Sequence, residues 1–199
     1  ADAHIVLQWA KLQPRIVYDE TIMRDGLDDF KVLVMPACEV LTEGLLKKIV
    51  DFQKRGGIIV ADENVCPAIS PDIFLPAYRR KRKARIDKTA LQARAANLRR
   101  ELDAFYTRKG DADSKDVVLR FRRYEDTDYM FAVNDRRTFG KYVGHHGLVM
   151  EKGVPNSATL SVKREKGYVY ELVSGKPVDV TRAGGALKFK ANFGPGEGK

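Results

Sequence analysis

The sequence predicts two successive architectures, a doubly wound α/β domain and then an antiparallel β-sandwich. Three observations carry that expectation. The apolar runs KVLVM and GIIVA are continuous, as in strands buried on both faces of a parallel sheet, and an amphipathic segment separates them. A second amphipathic segment, residues 86–106, keeps the helical period to its end, and the period changes to that of strands from residue 117 onward. Turn signals EKG, SG and AGG then recur at spacings of about eight to twelve residues, the rhythm of a sandwich. A length of 199 residues suits two small domains, and the change of period sets their bounds at 1–106 and 117–199, with a linker at 107–116.

DAHIVLQWAKL at 2–12 places Ile5, Val6, Trp9 and Leu12 on one helical face, and Pro14 stops the helix. RIVYDETI reads as a strand, DGLDDF as a polar turn and KVLVMP as a strand closed by Pro36. Thr42 then serves as N-cap with Glu43 in the first turn, and Leu45, Leu46, Ile49, Val50 and Phe52 form the apolar face. Lys54 and Arg55 suit the C-terminal end of the dipole, and Gly56 takes the left-handed cap before the strand GIIVAD. Parallel strands are thus expected near 15–18, 31–35 and 57–61. Leu91, Ala95, Leu98, Leu102 and Phe105 recur at steps of four and three, so 86–106 is one long helix with Arg94, Arg99 and Arg100 off its stripe. In the last part Val117, Leu119 and Phe121 alternate with Val118, Arg120 and Arg122. Tyr129, Phe131 and Val133 continue the pattern after EDTD, followed by Leu160, Val162, Tyr168, Tyr170, Leu172, Val178, Val180, Leu187 and Phe189.

DDFKVLVMPACEVLTEGLLKKIVDFQKRGGIIVADE resembles the glutamine-amidotransferase-like, flavodoxin-like domain found in the middle of some bacterial β-galactosidases and related multidomain glycosidases. The shared pattern is an aspartate-aromatic-lysine turn feeding a strand that ends in proline, an acidic helix start, and Phe-x-x-x-Gly-Gly leading into the next strand. It spans residues 1–76. VYELVSGKPVDV is similar to the small C-terminal β-sandwiches of the same enzymes. The resemblance implies a flavodoxin-like, class I glutamine amidotransferase-like three-layer α/β domain, an all-β sandwich after it, and a carbohydrate-active parent. A flavodoxin-like sheet opens with a central strand, whereas this sequence opens in a helix. The resemblance therefore implies an excised piece without its first strand, whose final GPGEGK would lead into a further strand.

Working class I glutamine amidotransferases carry a Gly-x-Cys-x-Gly elbow after a strand and a later His-x-Glu. Here Val60 is followed by Ala61, Asp62, Glu63 and Asn64, and His145 and His146 by Gly147 and Leu148, so neither signature is present. Cys66 is displaced from the elbow and Cys38 follows a different strand; both read as buried thiols. Cys38, Cys66 and Glu63 are the catalytic candidates of the alternative reading, a cysteine-dependent amidase or hydrolase with a histidine from the second domain. Asp62 and Glu63 are adjacent and point apart, unlike a retaining glycosidase pair about 5 Å apart on facing elements. A glycosidase barrel of about 250 residues does not fit in the chain. His145 and His146, even with Glu151, are short of a metal set and read as a loop pair able to contact a ligand.

The net charge is +9, and residues 78–88, YRRKRKARIDK, hold seven basic side chains against Asp87. Arg79, Arg80, Lys81, Arg82 and Lys83 are therefore candidates for binding phosphate or an anionic polymer. With no interleaved aromatics and no recognition motif, nucleic acid is disfavoured and a solvated, exposed linker is expected. GPGEGK lacks the strand before and helix after of a phosphate loop and reads as a tail; no cofactor or metal is expected. No apolar run approaches the roughly 20 residues of a membrane helix, so a soluble protein is expected, from a parent for which secretion or a periplasmic address is open. The expected function is a non-catalytic accessory region of a larger bacterial, glycosidase-like protein. Its expected partners are the remainder of that polypeptide or a neighbouring subunit, and carbohydrate.

Overall fold

The structure, a computed structural model, describes residues 2–78, 87–143 and 149–199. Its first part is organised around three short parallel strands, β1 (Val32–Met35), β2 (Ile58–Ala61) and β3 (Ile73–Phe74), paired in the order β1-β2-β3. Side chains alternate along a strand, so β1 and β2 each feed two cores, whereas β3 gives Ile73 to one and leaves Phe74 exposed. Leu33, Met35, Ile59 and Ala61 pack with Ile22 of α2 (Asp19–Asp25) and with Leu45, Ile49 and Phe52 of α3 (Glu43–Lys54). Val60 and the half-buried Val32, Val34 and Ile58 pack instead with α1 (Asp2–Trp9) and α4 (Lys88–Leu102), through Val6, Trp9, Leu91, Ala95 and Leu98.

Local signals account for α3. The Thr42 hydroxyl accepts from the Leu45 N–H at 3.4 Å, and Gly56 leaves the helix with φ of +90°. A Cβ on Gly57 would overlap the Phe52 ring, so the glycine pair both ends the helix and lets β2 depart close against it.

The second part is all β. It contains β4 (Gly110–Ala112), β5 (Val117–Tyr124), β6 (Thr127–Asn134), β7 (Arg137–Val143), β8 (Val149–Gly153) and β9 (Asn156–Val162). It ends with β10 (Val169–Glu171), β11 (Lys176–Val178), β12 (Thr181–Ala183) and β13 (Ala186–Phe193). A four-stranded antiparallel sheet has the order β12-β13-β9-β4, and β5-β6, β7-β8 and β10-β11 are two-stranded. Val117, Leu119 and Phe121 of β5 meet Ala158, Leu160 and Val162 of β9 and Phe193 of β13, which lays the β5-β6 hairpin over the larger sheet as in a sandwich.

Several expectations are corrected. The flavodoxin-like, glutamine-amidotransferase-like three-layer α/β domain is not the architecture: the described residues are mostly β, with four short helices and several small sheets. The parallel sheet has strands of two to four residues and no reversal of strand order, the feature that defines a doubly wound sheet. A strand, helix, strand run with short connections begins many folds, and none of the described residues after Phe74 adds a strand to this sheet. Residues 15–18 are not a strand; Asp19 and Glu20 instead open α2, where acidic side chains favour the N-terminal dipole. The long helix stops at Leu102, leaving Phe105 63% exposed. The expected linker at 107–116 carries β4. The C-terminal residues are no tail. The Ala132 N–H donates to the Lys199 carbonyl at 2.7 Å and the Asn134 N–H to the Glu197 carbonyl at 2.9 Å, so they extend the edge of β6.

Candidate functional site

The loops after parallel strands are where α/β sheets hold ligands, which makes the segments after β1 and β2 the first place to look. Asp62, directly after β2, is 5% exposed. Its carboxylate accepts from the Ala37 N–H at 3.0 Å and from the Asn64 N–H at 2.9 Å, tying the two loops together. Ala37 has φ of +52°, a strained backbone that this bond holds in place. The Cys66 N–H donates to the Cys38 carbonyl at 2.7 Å, and Glu63 accepts from the Ala77 N–H at 2.9 Å. Both carboxylates therefore order loops.

Cys38 and Cys66 are free and half-buried. Burial, and then the Asp62 and Asp19 carboxylates, push the Cys38 thiol above its ordinary range, the direction opposite to that of an activated nucleophile. His4 is on α1, whereas His145, His146 and Arg79, Arg80, Lys81, Arg82 and Lys83 lie outside the described residues. Among the described residues no three His, Cys, Asp or Glu side chains gather as a metal set.

A densely bonded polar cluster joins the two parts. At the end of α1, Lys11 adopts φ of +59°, and its ammonium turns inward to the Ser114 carbonyl at 3.0 Å and to the Val117 carbonyl. Burial lowers its pKa to about 8, although Asp111, Asp116 and Asp135 draw it back up. Trp9 Nε1 donates to Asp135 at 3.1 Å, and Lys88 bridges Asp116 at 2.7 Å and Asp135 at 3.4 Å while standing 5.8 Å from the Trp9 ring. Gln92 donates to Asp116 at 2.9 Å. Burial works against the charge of Asp116, and the Lys88 and Gln92 hydrogen bonds overcome it and hold the carboxyl below its usual range. An amine with a pKa near 8 is chemically a base, but this one is spent on two backbone carbonyls. Nothing in KLQP signals it; the positive φ that aims it inward is a tertiary feature.

A groove of about 250 Å³ opens at the end of β4, its walls including Thr107, Arg108, Lys109, Ser161 and Lys163. Arg108 pairs with Asp103, and Lys109 with Asp128. Asp128 also receives Arg123 at 2.9 Å and Arg164 at 3.4 Å. The hydrogen bond from Arg123, opposed by burial and joined by that from Lys109, lowers the Asp128 carboxyl to about 2. The linker expectation hid this site, because it removed 107–111 from consideration as structure. Chemically the arrangement can hold an anion or a polyol, and it contains no paired nucleophile and base.

The sequence matches no protein-family model and no curated protein. Among solved structures, alpha-L-fucosidase isoenzyme 2 from Paenibacillus thiaminolyticus superposes on 96% of this chain with a TM-score of 0.64 at 11% identity. A rhamnosidase from Novosphingobium sp. PP1Y covers 83% of the chain with a TM-score of 0.48 at 12% identity. The chain spans 43% of the fucosidase chain and 16% of the rhamnosidase chain. At such identity the fucosidase similarity shows a shared fold, and the rhamnosidase similarity is too slight to add to it.

Proposed function

We propose that this chain is a non-catalytic accessory region of a larger carbohydrate-active protein, packed against a catalytic module or a neighbouring subunit. One observation carries the reading: the fold of nearly the whole chain recurs within less than half of an alpha-L-fucosidase chain. The loops after the parallel strands support it, since Asp62 and Glu63 are committed to backbone N–H groups and Cys38 is shifted away from thiolate character. No helix of the described residues is long and apolar enough to cross a membrane.

The test is the size and activity of the native polypeptide. An antibody raised against these 199 residues should precipitate from the source cells a chain well above 22.4 kDa that hydrolyses aryl glycosides, while the 199-residue chain alone hydrolyses none. A native species of this size, or one that hydrolyses amides through Cys38 or Cys66, overturns the reading.

A further inference from the structure

The groove at the end of β4 concentrates charge that the fold does not neutralise. Arg108, Lys109 and Lys163 line it with Asp103 and Asp111, and ion pairs from these join Arg99, Arg123, Arg164 and Asp128 to the same network, six cations against three carboxylates. Residues 78–88 account for +6 of the net +9, so this excess of three equals the whole charge excess of the remaining chain. Five of the six cations are engaged with the carboxylates. Lys163, exposed on the groove wall, has no ion-pair partner among the described residues. The Nε of Arg108 is a buried donor without an acceptor, the kind of group that marks a missing oxygen.

Thr107 and Ser161 add hydroxyls that donate or accept as a ligand requires, and Asp103 adds an acceptor. At about 250 Å³ the groove is below the roughly 300–1,000 Å³ of drug-sized sites, a size suited to one ring rather than an extended chain. One free cation beside two hydroxyls and a carboxylate acceptor matches a ligand with one anionic group and several hydroxyls. We infer that this groove binds a single acidic sugar residue, a uronic acid, with its carboxylate at Lys163 and its hydroxyls on Thr107 and Ser161. The sugar identity rests on the carbohydrate reading above; the anion site rests on the charges alone.

The experiment is an amide-resolved NMR titration of the isotope-labelled 199-residue chain with D-glucuronate and D-galacturonate, against D-glucose, D-galactose and sodium sulfate. At least one uronate should shift amides of residues 107–111 and 161–163, and the shifts should fade as salt is raised. Lys163→Gln should weaken uronate binding about tenfold and Ser161→Ala by less, both variants keeping the dispersed spectrum of the folded chain. Neutral sugars that move the same amides as strongly overturn the inference, as does an absence of shifts or shifts elsewhere. Sulfate binding as tightly as the uronates reduces the groove to a plain anion site and also overturns it. These outcomes leave the accessory reading to the size and activity of the native polypeptide, so the two fail separately.

Discussion

Among the described residues burial and charge conflict most sharply at Lys11: it is 4% exposed, yet in the turn after α1 it holds its ammonium inside the protein. Its pKa falls from the ordinary 10.5 to about 8, burial being the main cause. The unfolded chain therefore holds this proton over a pH range in which the folded chain has released it, so stability rises as pH climbs from about 8 to about 10.5. Below that window the charged, buried ammonium costs about 3 kcal/mol. Lys11→Met lacks the titration. The stability of the natural chain minus that of the variant, from urea unfolding, should therefore grow by up to about 3 kcal/mol across the window. A difference that stays flat would mean that water reaches the ammonium. Asp62 shows the complementary lesson. Its place after β2 was legible from the apolar run before it, but its role was not, because its partners Ala37 and Asn64 are brought to it by the loops it ties.

At the scale of elements, the β5-β6 hairpin shows how a turn decides which side chains are buried. Tyr124 pairs with Thr127, and the register runs through Phe121 with Met130 to Val117 with Asn134. Partners across an antiparallel pair share a face. With Val117, Leu119 and Phe121 inward, Met130, Ala132 and Asn134 must face inward as well, which turns Tyr129, Phe131 and Val133 outward. The alternation of β6 was legible, but its phase was not, since the apolar alternate positions suggest the opposite face. By contrast Thr42, Leu45, Ile49, Phe52 and Gly56 specify α3 within a few residues of one another, and the structure keeps each role. Residues 15–18 misled because Ile16 and Tyr18 are apolar yet exposed. The turn of the hairpin carries a cost: Glu125 has φ of +49°, a region that side chains other than Gly, Asn and Asp rarely occupy. Glu125→Asn should therefore stabilise the protein by about 0.5–1 kcal/mol, a rise in melting temperature of about 1–4 °C. An unchanged or lower midpoint by calorimetry would place the determinant of register elsewhere than in this turn.

For the whole molecule, the question is whether the parallel-sheet part and the β part unfold together. Their junction is largely polar. Trp9 reaches Asp135, Lys88 bridges Asp116 and Asp135, Gln92 reaches Asp116, and the Phe121 N–H donates to Gln13 at 2.9 Å; Val118 of β5 adds an apolar contact to the first core. The Lys88 side chain is 12% exposed, so loss of both carboxylates leaves its charge in a largely desolvated place with the Asp135 backbone carbonyl, 2.6 Å away, as its remaining partner. Breaking such a pair on one side costs about 3–5 kcal/mol, far more than an exposed ion pair contributes. Trp9 is the sole tryptophan, and it sits in this junction on α1, so its emission reports the first part while far-UV circular dichroism also follows the sheets of the second. In the natural chain the two signals should change at one urea concentration, as cooperative unfolding requires. In Asp116→Ala/Asp135→Ala the Lys88 bridge is gone, and the two transitions should separate. If they stay coincident and merely move to lower urea, the coupling is carried by Val118, Gln13 and the Lys11 contacts instead of by the carboxylates, and the polar junction is a consequence of docking rather than its cause.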